Sequence, residues 1–183
     1  MHRGTLCGVN LPNWLSVGRI LLIPVFMVAL LGRIPEGDHV AVAVFAVAAL
    51  TDKLDGYLAR SRNATTTFGV FLDPLADKLL VSAALISLVE LDRLAAWVAM
   101  VIITREFMVS GLRMVAASQH MVIAASQWGK IKTTAQVVAI AALIIDHPPH
   151  AATTALVAFA VAVTVWSGID YFIDARDVLR APA

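Results

Sequence analysis

Four carboxylates lie close together in the chain: Asp52 and Asp55 are three residues apart, Asp73 and Asp77 four apart. On a helix, each spacing puts two carboxylates on one face, one turn from each other. Apolar sequence flanks both pairs, so the four would repel one another and lose hydration unless something positive sat among them. A divalent metal with oxygen ligands is the economical candidate. Gly56 leaves room for a ligand to approach the backbone, Ala59 is small, and Arg60 is a cation that could hold a phosphate. The competing reading is structural, with Asp52 or Asp55 in a buried ion pair with Lys53 or Arg60. Ionisable residues within apolar spans are functional by default, which weighs against it.

The elements that must position these groups are apolar helices. Of 183 residues, 60% are hydrophobic and the mean hydropathy is +0.82. Only 15% are charged, against about a quarter in soluble domains. The expectation is an all-α integral membrane protein forming a single domain over residues 1–183. A formal net charge of +1 leaves no basic field for nucleic acid. The single cysteine, Cys7, rules out an intrachain disulfide.

Apolar runs and their breaks predict six transmembrane helices. The first spans about Trp14 to Leu31, opened by Pro12 or Asn13. No small-x-small cleavage site follows it, and Arg19 interrupts it, so it is read as a retained span and not a signal peptide. Arg19 is either a snorkelling interfacial cation or an inward-facing phosphate contact. The second span runs from about His39 to Leu58 and ends in the first carboxylate pair; the third, Phe68 to Val89, begins with the second pair. Ser61 to Thr67 reads as a tight connection between them. The fourth span, Leu94 to Ala117, contains Arg105, Glu106 and Arg113. The arginines are eight apart and so share a face; Glu106 can neutralise one of them, which accounts for one cation and not for two. Lys130 and Lys132 open the fifth span, which ends at Ile145, and the sixth covers Ala151 to Ile173. His147 and His150 flank two prolines with no third ligand nearby, so they read as a solvated turn.

Six spans put both termini on one side. With the N-terminus cytoplasmic, the outer loops hold only Arg33 and Arg93, while Arg3, Arg60, Arg62, Lys78, Lys130, Lys132, Arg176 and Arg180 lie inside. Both termini are therefore expected to be cytoplasmic, with the active site at the cytoplasmic side of the bundle.

The pattern D-x2-D-G-x2-A-R-x8-G-x3-D-x3-D resembles the signature of the CDP-alcohol phosphatidyltransferases. It is matched at Asp52, Asp55, Gly56, Ala59, Arg60, Gly69, Asp73 and Asp77 without substitution or gap. Pro12, Asn13, Ser16 and Arg19 fall in a segment similar to the one that contacts the cytidine end in this family; Ser16 stands where threonine is common, and the hydroxyl survives. Thr104-Arg105-Glu106-x6-Arg113 and Gly129-Lys130-x-Lys132-Thr133-x2-Gln136 look like segments typical of the family's phosphatidylglycerophosphate synthases. The resemblance covers about Asn10 to Gln136; the sixth span is generic.

The resemblance implies displacement at phosphorus with no covalent enzyme intermediate. Asp52, Asp55 and Asp73 would bind Mg2+, with Mn2+ as an alternative, and Asp77 would serve both as a metal contact and as the general base for the acceptor hydroxyl. Pro12, Asn13, Ser16, Gly56, Arg60 and Thr66 would hold the nucleotide and diphosphate of CDP-diacylglycerol. Arg105, Arg113, Lys130 and Lys132 form a cationic set that suits the phosphate of glycerol 3-phosphate. The implied partners are these two substrates, the lipid bilayer and a second copy in a homodimer, in a bacterial inner (cytoplasmic) membrane, with no nucleic acid. Other acceptors remain in play, namely inositol phosphate, serine, or phosphatidylglycerol as in cardiolipin synthesis. Inositol phosphate also explains the cations. A small cation transporter using the aspartates is a remote rival: the carboxylates sit near one face and no repeat links the two halves.

Overall fold

The computed structural model describes residues 11–32, 34–62, 67–118 and 127–176. They form six helices: α1 (Leu11–Leu31), α2 (Gly37–Arg62), α3 (Thr67–Glu90), α4 (Ala96–Ser118), α5 (Gln127–Ile145) and α6 (Ala151–Asp174). A helix lies over each of the six predicted apolar runs, but several helices outrun their apolar run. α1 starts at Leu11 instead of Trp14, α2 continues past Leu58 to Arg62, and α5 begins at Gln127 instead of Lys130. Counting apolar residues measures a membrane crossing, whereas Arg, Lys and Gln propagate a helix well beyond it.

The chain divides into two compact units, Met1–Ala83 and Ala84–Ala183, with the division inside α3. In the first, α1 and α2 pack on each other across a short connection, as an antiparallel hairpin. Phe26 and Phe45, both buried, meet with ring centroids 5.9 Å apart. At the turn, Gly37 lies so close to α1 that any Cβ there would sit 2.3 Å from the Ala29 carbonyl oxygen. Only glycine lets the two helices start this tightly.

In the second unit α6 packs against both α4 and α5. Ala135, Ala139 and Ala160 form one contact, flanked by Leu156 and Val157; Val109, Leu112, Tyr171 and Ala175 form another, with Phe172 against it. The ends opposite the cationic residues are tied down. Arg93 Nη1 donates to the Ile144 carbonyl at 2.6 Å, satisfying an acceptor in the last turn of α5. In the α5–α6 turn, Asp146 accepts from the Thr153 hydroxyl and the His150 N–H and contacts the His150 ring. The Thr153 hydroxyl and then the His150 N–H pull the Asp146 carboxyl down to about pKa 2. His150 is thus an exposed turn residue bonded to a carboxylate.

The division between inside and outside departs from that of a water-soluble bundle. Ala41, Ala48, Ala99, Ala116, Ala139 and Ala160 are buried at the helix contacts, together with Ser16, Ser87, Thr164 and Ser167. Leu21, Val28, Val47, Ile86, Trp97, Met100, Met114 and Trp166 are all more than half exposed. Small residues at helix contacts and large apolar ones outward suit an apolar solvent. By length and composition, Trp128–Ile145 in α5 and Ala151–Ile173 in α6 are long and apolar enough to cross a membrane.

Candidate active site

The first carboxylate pair sits near the C-terminal end of α2 and the second in the first half of α3. Both segments are helical, so Asp52 and Asp55, and likewise Asp73 and Asp77, fall one turn apart as their spacing predicts. Asp77 is half-buried, beside the fully buried Ala76 and one turn from Leu80. The side chains of Pro12, Asn13, Asp52, Asp55, Gly56, Arg60 and Asp73 lie outside the described residues, as does Thr66 altogether. A donor set made only of carboxylate oxygens fits a hard divalent cation.

Ser16 and Arg19 are 1% and 2% exposed. Arg19 is therefore enclosed by the protein and does not snorkel. The α1–α2 register shows why this matters. Seven residues back from Phe26 is Arg19, and seven on from Phe45 is Asp52; ten residues give Ser16 and Asp55. In an antiparallel pair this brings the buried hydroxyl and guanidinium of α1 to the level of the first two carboxylates on the α2 backbone.

The second unit gathers most of the cationic set. Lys132, 4% exposed, donates to Glu106 Oε1. The same carboxylate oxygen is 3.7 Å from Arg105 Nη1. Glu106 is thus shared between Lys132 and Arg105, and this trio keeps a surplus positive charge. Towards α6, Arg105 Nη2 donates to Ser167 Oγ at 2.5 Å. Arg113 Nε donates to the Tyr171 hydroxyl at 3.1 Å, and its guanidinium carbon is 5.3 Å from that ring's centroid. Gln136, one turn beyond Lys132, is 3% exposed, and its Nε2 finds no hydrogen-bond acceptor among the described residues.

Lys130 does not join this group. It is exposed, and it is two residues from Lys132, about 200° around α5. The sequence reading grouped the two lysines, although residues two apart on a helix do not share a face. Helix α5 also begins a turn before Lys132, so that residue is past the end where the N–H groups are unpaired. Ser167, Gly168 and Tyr171 were missed altogether, because a serine, a glycine and a tyrosine in an apolar run carry no signal until α4 is seen beside them. A cavity of about 840 Å³ opens between α4 and α6, lined by apolar side chains including Met100 and Met108, with Thr104, Arg105 and Arg176 as its polar members.

A family model described as CDP-alcohol phosphatidyltransferase matches residues 9–166. The chain is 50% identical to the CDP-diacylglycerol--glycerol-3-phosphate 3-phosphatidyltransferase of Bacillus subtilis (strain 168), over 93% of this chain and 97% of that protein. It is 43% identical to a probable phosphatidylglycerophosphate synthase of Mycobacterium tuberculosis (strain ATCC 25618 / H37Rv), over 92% of this chain and 83% of the relative. A Haemophilus influenzae (strain ATCC 51907 / DSM 11121 / KW20 / Rd) protein with the same name as the Bacillus one is 39% identical over 93% and 95% of the two chains. With the unbroken signature on α2 and α3 and a match that runs through both units, the chain belongs to the CDP-alcohol phosphatidyltransferase family.

Proposed function

We propose that this enzyme transfers the phosphatidyl group of CDP-diacylglycerol to glycerol 3-phosphate, releasing phosphatidylglycerol phosphate and CMP. The observation that carries the acceptor assignment is a surplus of positive charge on α4 and α5: the buried Lys132 and the partly buried Arg105 share one carboxylate, with the exposed Arg113 two turns along α4. A phosphate monoester carries nearly two negative charges at neutral pH, and its oxygens suit such donors. The names of the relatives point to the same acceptor.

Enzymes of this family use divalent metal ions. Mg2+ bound by Asp52, Asp55 and Asp73 would neutralise the diphosphate and stabilise charge on the departing CMP. Asp77 takes the proton of the acceptor hydroxyl as that oxygen attacks the lipid-bearing phosphorus. The bond from phosphorus to the CMP oxygen breaks, and CMP leaves with the electron pair. Pro12, Asn13, Ser16, Gly56, Arg60 and Thr66 hold the nucleotide and diphosphate. Lys130, exposed, attracts the acceptor electrostatically and does not clamp it.

The enzyme works as a single six-span domain in a bacterial inner membrane, as a homodimer, with both termini and the site on the cytoplasmic side. The lysine and arginine bias supports this orientation. In a background lacking Cys7, cysteines at His39 or His150 should react only with reagents supplied from outside, and one at Thr65 only from the cytoplasm. His39 is exposed, so a cysteine there is open to reagent. External labelling at Thr65 would reverse the topology.

The acceptor itself is tested with purified protein, CDP-diacylglycerol and a panel of glycerol 3-phosphate, glycerol, inositol phosphate, serine and phosphatidylglycerol, with CMP release as readout. Glycerol 3-phosphate should be strongly preferred. Arg105→Ala removes a charge-assisted contact worth about 1.5–3 kcal/mol, so KM for glycerol 3-phosphate should rise roughly ten- to a hundredfold with little change for CDP-diacylglycerol. If glycerol serves as well as its phosphate, or if only the KM for CDP-diacylglycerol rises, the cations serve the diphosphate and the acceptor is another alcohol.

A further inference from the structure

We propose that Ser167, Gly168 and Tyr171 of α6 are positioning residues that aim Arg105 and Arg113 at the acceptor. This rests on the reading that those two arginines bind the acceptor phosphate. The three residues lie at i, i+1 and i+4, on one side of α6, and each touches one of the arginines in a different way. Ser167 Oγ accepts from Arg105 Nη2 at 2.5 Å. Gly168 faces the aliphatic stem of the same side chain: a Cβ there would meet Arg105 Cγ at 3.2 Å and lie 3.9 Å from Nε. Tyr171 takes a hydrogen bond from Arg113 Nε at 3.1 Å through its hydroxyl and stacks its ring under the guanidinium.

The chemistry of these anchors is what separates positioning from neutralisation. An arginine is a long side chain with much rotamer freedom to lose, and a site that binds a dianion tightly must hold it in place beforehand. A carboxylate would do so but would cancel its charge. A serine hydroxyl, a tyrosine hydroxyl and an aromatic face each hold a guanidinium while leaving its charge for the ligand. A guanidinium has about five N–H donors, and α6 takes one from each arginine; Arg105 Nη1 also faces Glu106, whose charge Lys132 shares, so neither arginine has all its donors taken. Arg105 Nε is buried with no hydrogen-bond partner among the described residues, so this arginine is not saturated by the protein around it. The slot at Gly168 lets the stem pass close to α6, and that sets the depth at which the guanidinium emerges.

The full-length protein in detergent tests this, with KM measured for both substrates. Ser167→Ala and Tyr171→Phe should each raise KM for glycerol 3-phosphate about three- to tenfold, the loss of one hydrogen bond, with Tyr171→Phe at the lower end because the ring remains. KM for CDP-diacylglycerol and the thermal midpoint should stay at wild type. Ser167→Thr, which keeps the hydroxyl, should restore the acceptor KM. Gly168→Ala should raise it by displacing the Arg105 stem. The deciding variant is the double mutant Arg105→Ala/Ser167→Ala: if Ser167 acts only through Arg105, the pair is no worse than Arg105→Ala alone. Additive losses would mean that Ser167 touches substrate itself and would overturn the proposal. So would an unchanged acceptor KM in both Ser167→Ala and Tyr171→Phe while Arg105→Ala raises it. A loss of thermal stability with both KM values rising together would make these contacts structural and also overturn it. An unchanged acceptor KM in Arg105→Ala is a separate failure, that of the acceptor-site assignment.

Discussion

Changing Asp52, Asp55 or Asp73 to Asn, one at a time, should lower CMP release by more than about a hundredfold, since even outer-shell partners of a metal are worth roughly ten- to a hundredfold. An amide keeps the size and shape of the carboxylate but replaces one acceptor oxygen with an NH2 donor and presents a neutral oxygen, which binds a hard divalent cation far more weakly. Chelator should abolish the wild-type activity, and Mg2+ or Mn2+ should restore it. The helical spacing adds a control. Asp52 and Asp55 are one turn apart on α2, so without metal they repel each other, and the Asn variants relieve that repulsion. In chelator, Asp52→Asn and Asp55→Asn should therefore unfold at or above the wild-type temperature, which separates lost metal binding from lost folding. Full CMP release in excess chelator would end the metal reading.

Asp77→Asn should cut kcat by about a hundred- to ten-thousandfold, the usual worth of a general base. KM for both substrates should stay near wild type, because a group needed only while the proton moves contributes little to binding. Asp77 is half-buried beside Ala76 and Leu80, and asparagine fits the same space, so the variant should fold. Its response to Mg2+ is the discriminating measurement. A rate that recovers as Mg2+ is raised would make Asp77 a metal ligand first, and the base would have to be another residue.

The two ends of the chemistry were unequally legible in the sequence. Carboxylates at i, i+3 and i, i+4 within apolar flanks announce themselves, because nothing in an apolar span requires them. The helices were legible for a related reason: Gly32, Pro35 and Gly37, or Asp146 with its two prolines, interrupt long apolar runs and can only be turns. Helix ends were less legible, since Gln127 and Arg62 extend helices beyond the apolar stretch that betrays them. The cationic set was read as four equals. Its real organisation depends on which neighbour each face of α4 meets. Arg105 and Glu106 are adjacent in sequence and so point about 100° apart, one to Ser167 on α6 and the other to Lys132 on α5. The lysine half of that error was avoidable from helical geometry alone; the roles of Ser167 and Tyr171 were not, because hydroxyls in an apolar helix are common and only their partners distinguish them.

That divergence of Arg105 and Glu106 also bears on how the enzyme is made. Helix α4 is held by one residue to the helix that follows it and by its neighbour to the last helix of the described chain. Synthesis delivers α5 before α6, so a nascent chain meets the Lys132 contact first and carries both arginines without their hydroxyl partners until α6 has left the ribosome. The carboxylate helices α2 and α3 are complete long before. The half that carries the cationic residues is therefore finished last, and a chain stopped short of Ser167 carries all four aspartates of the signature but lacks the α6 hydroxyls that hold Arg105 and Arg113.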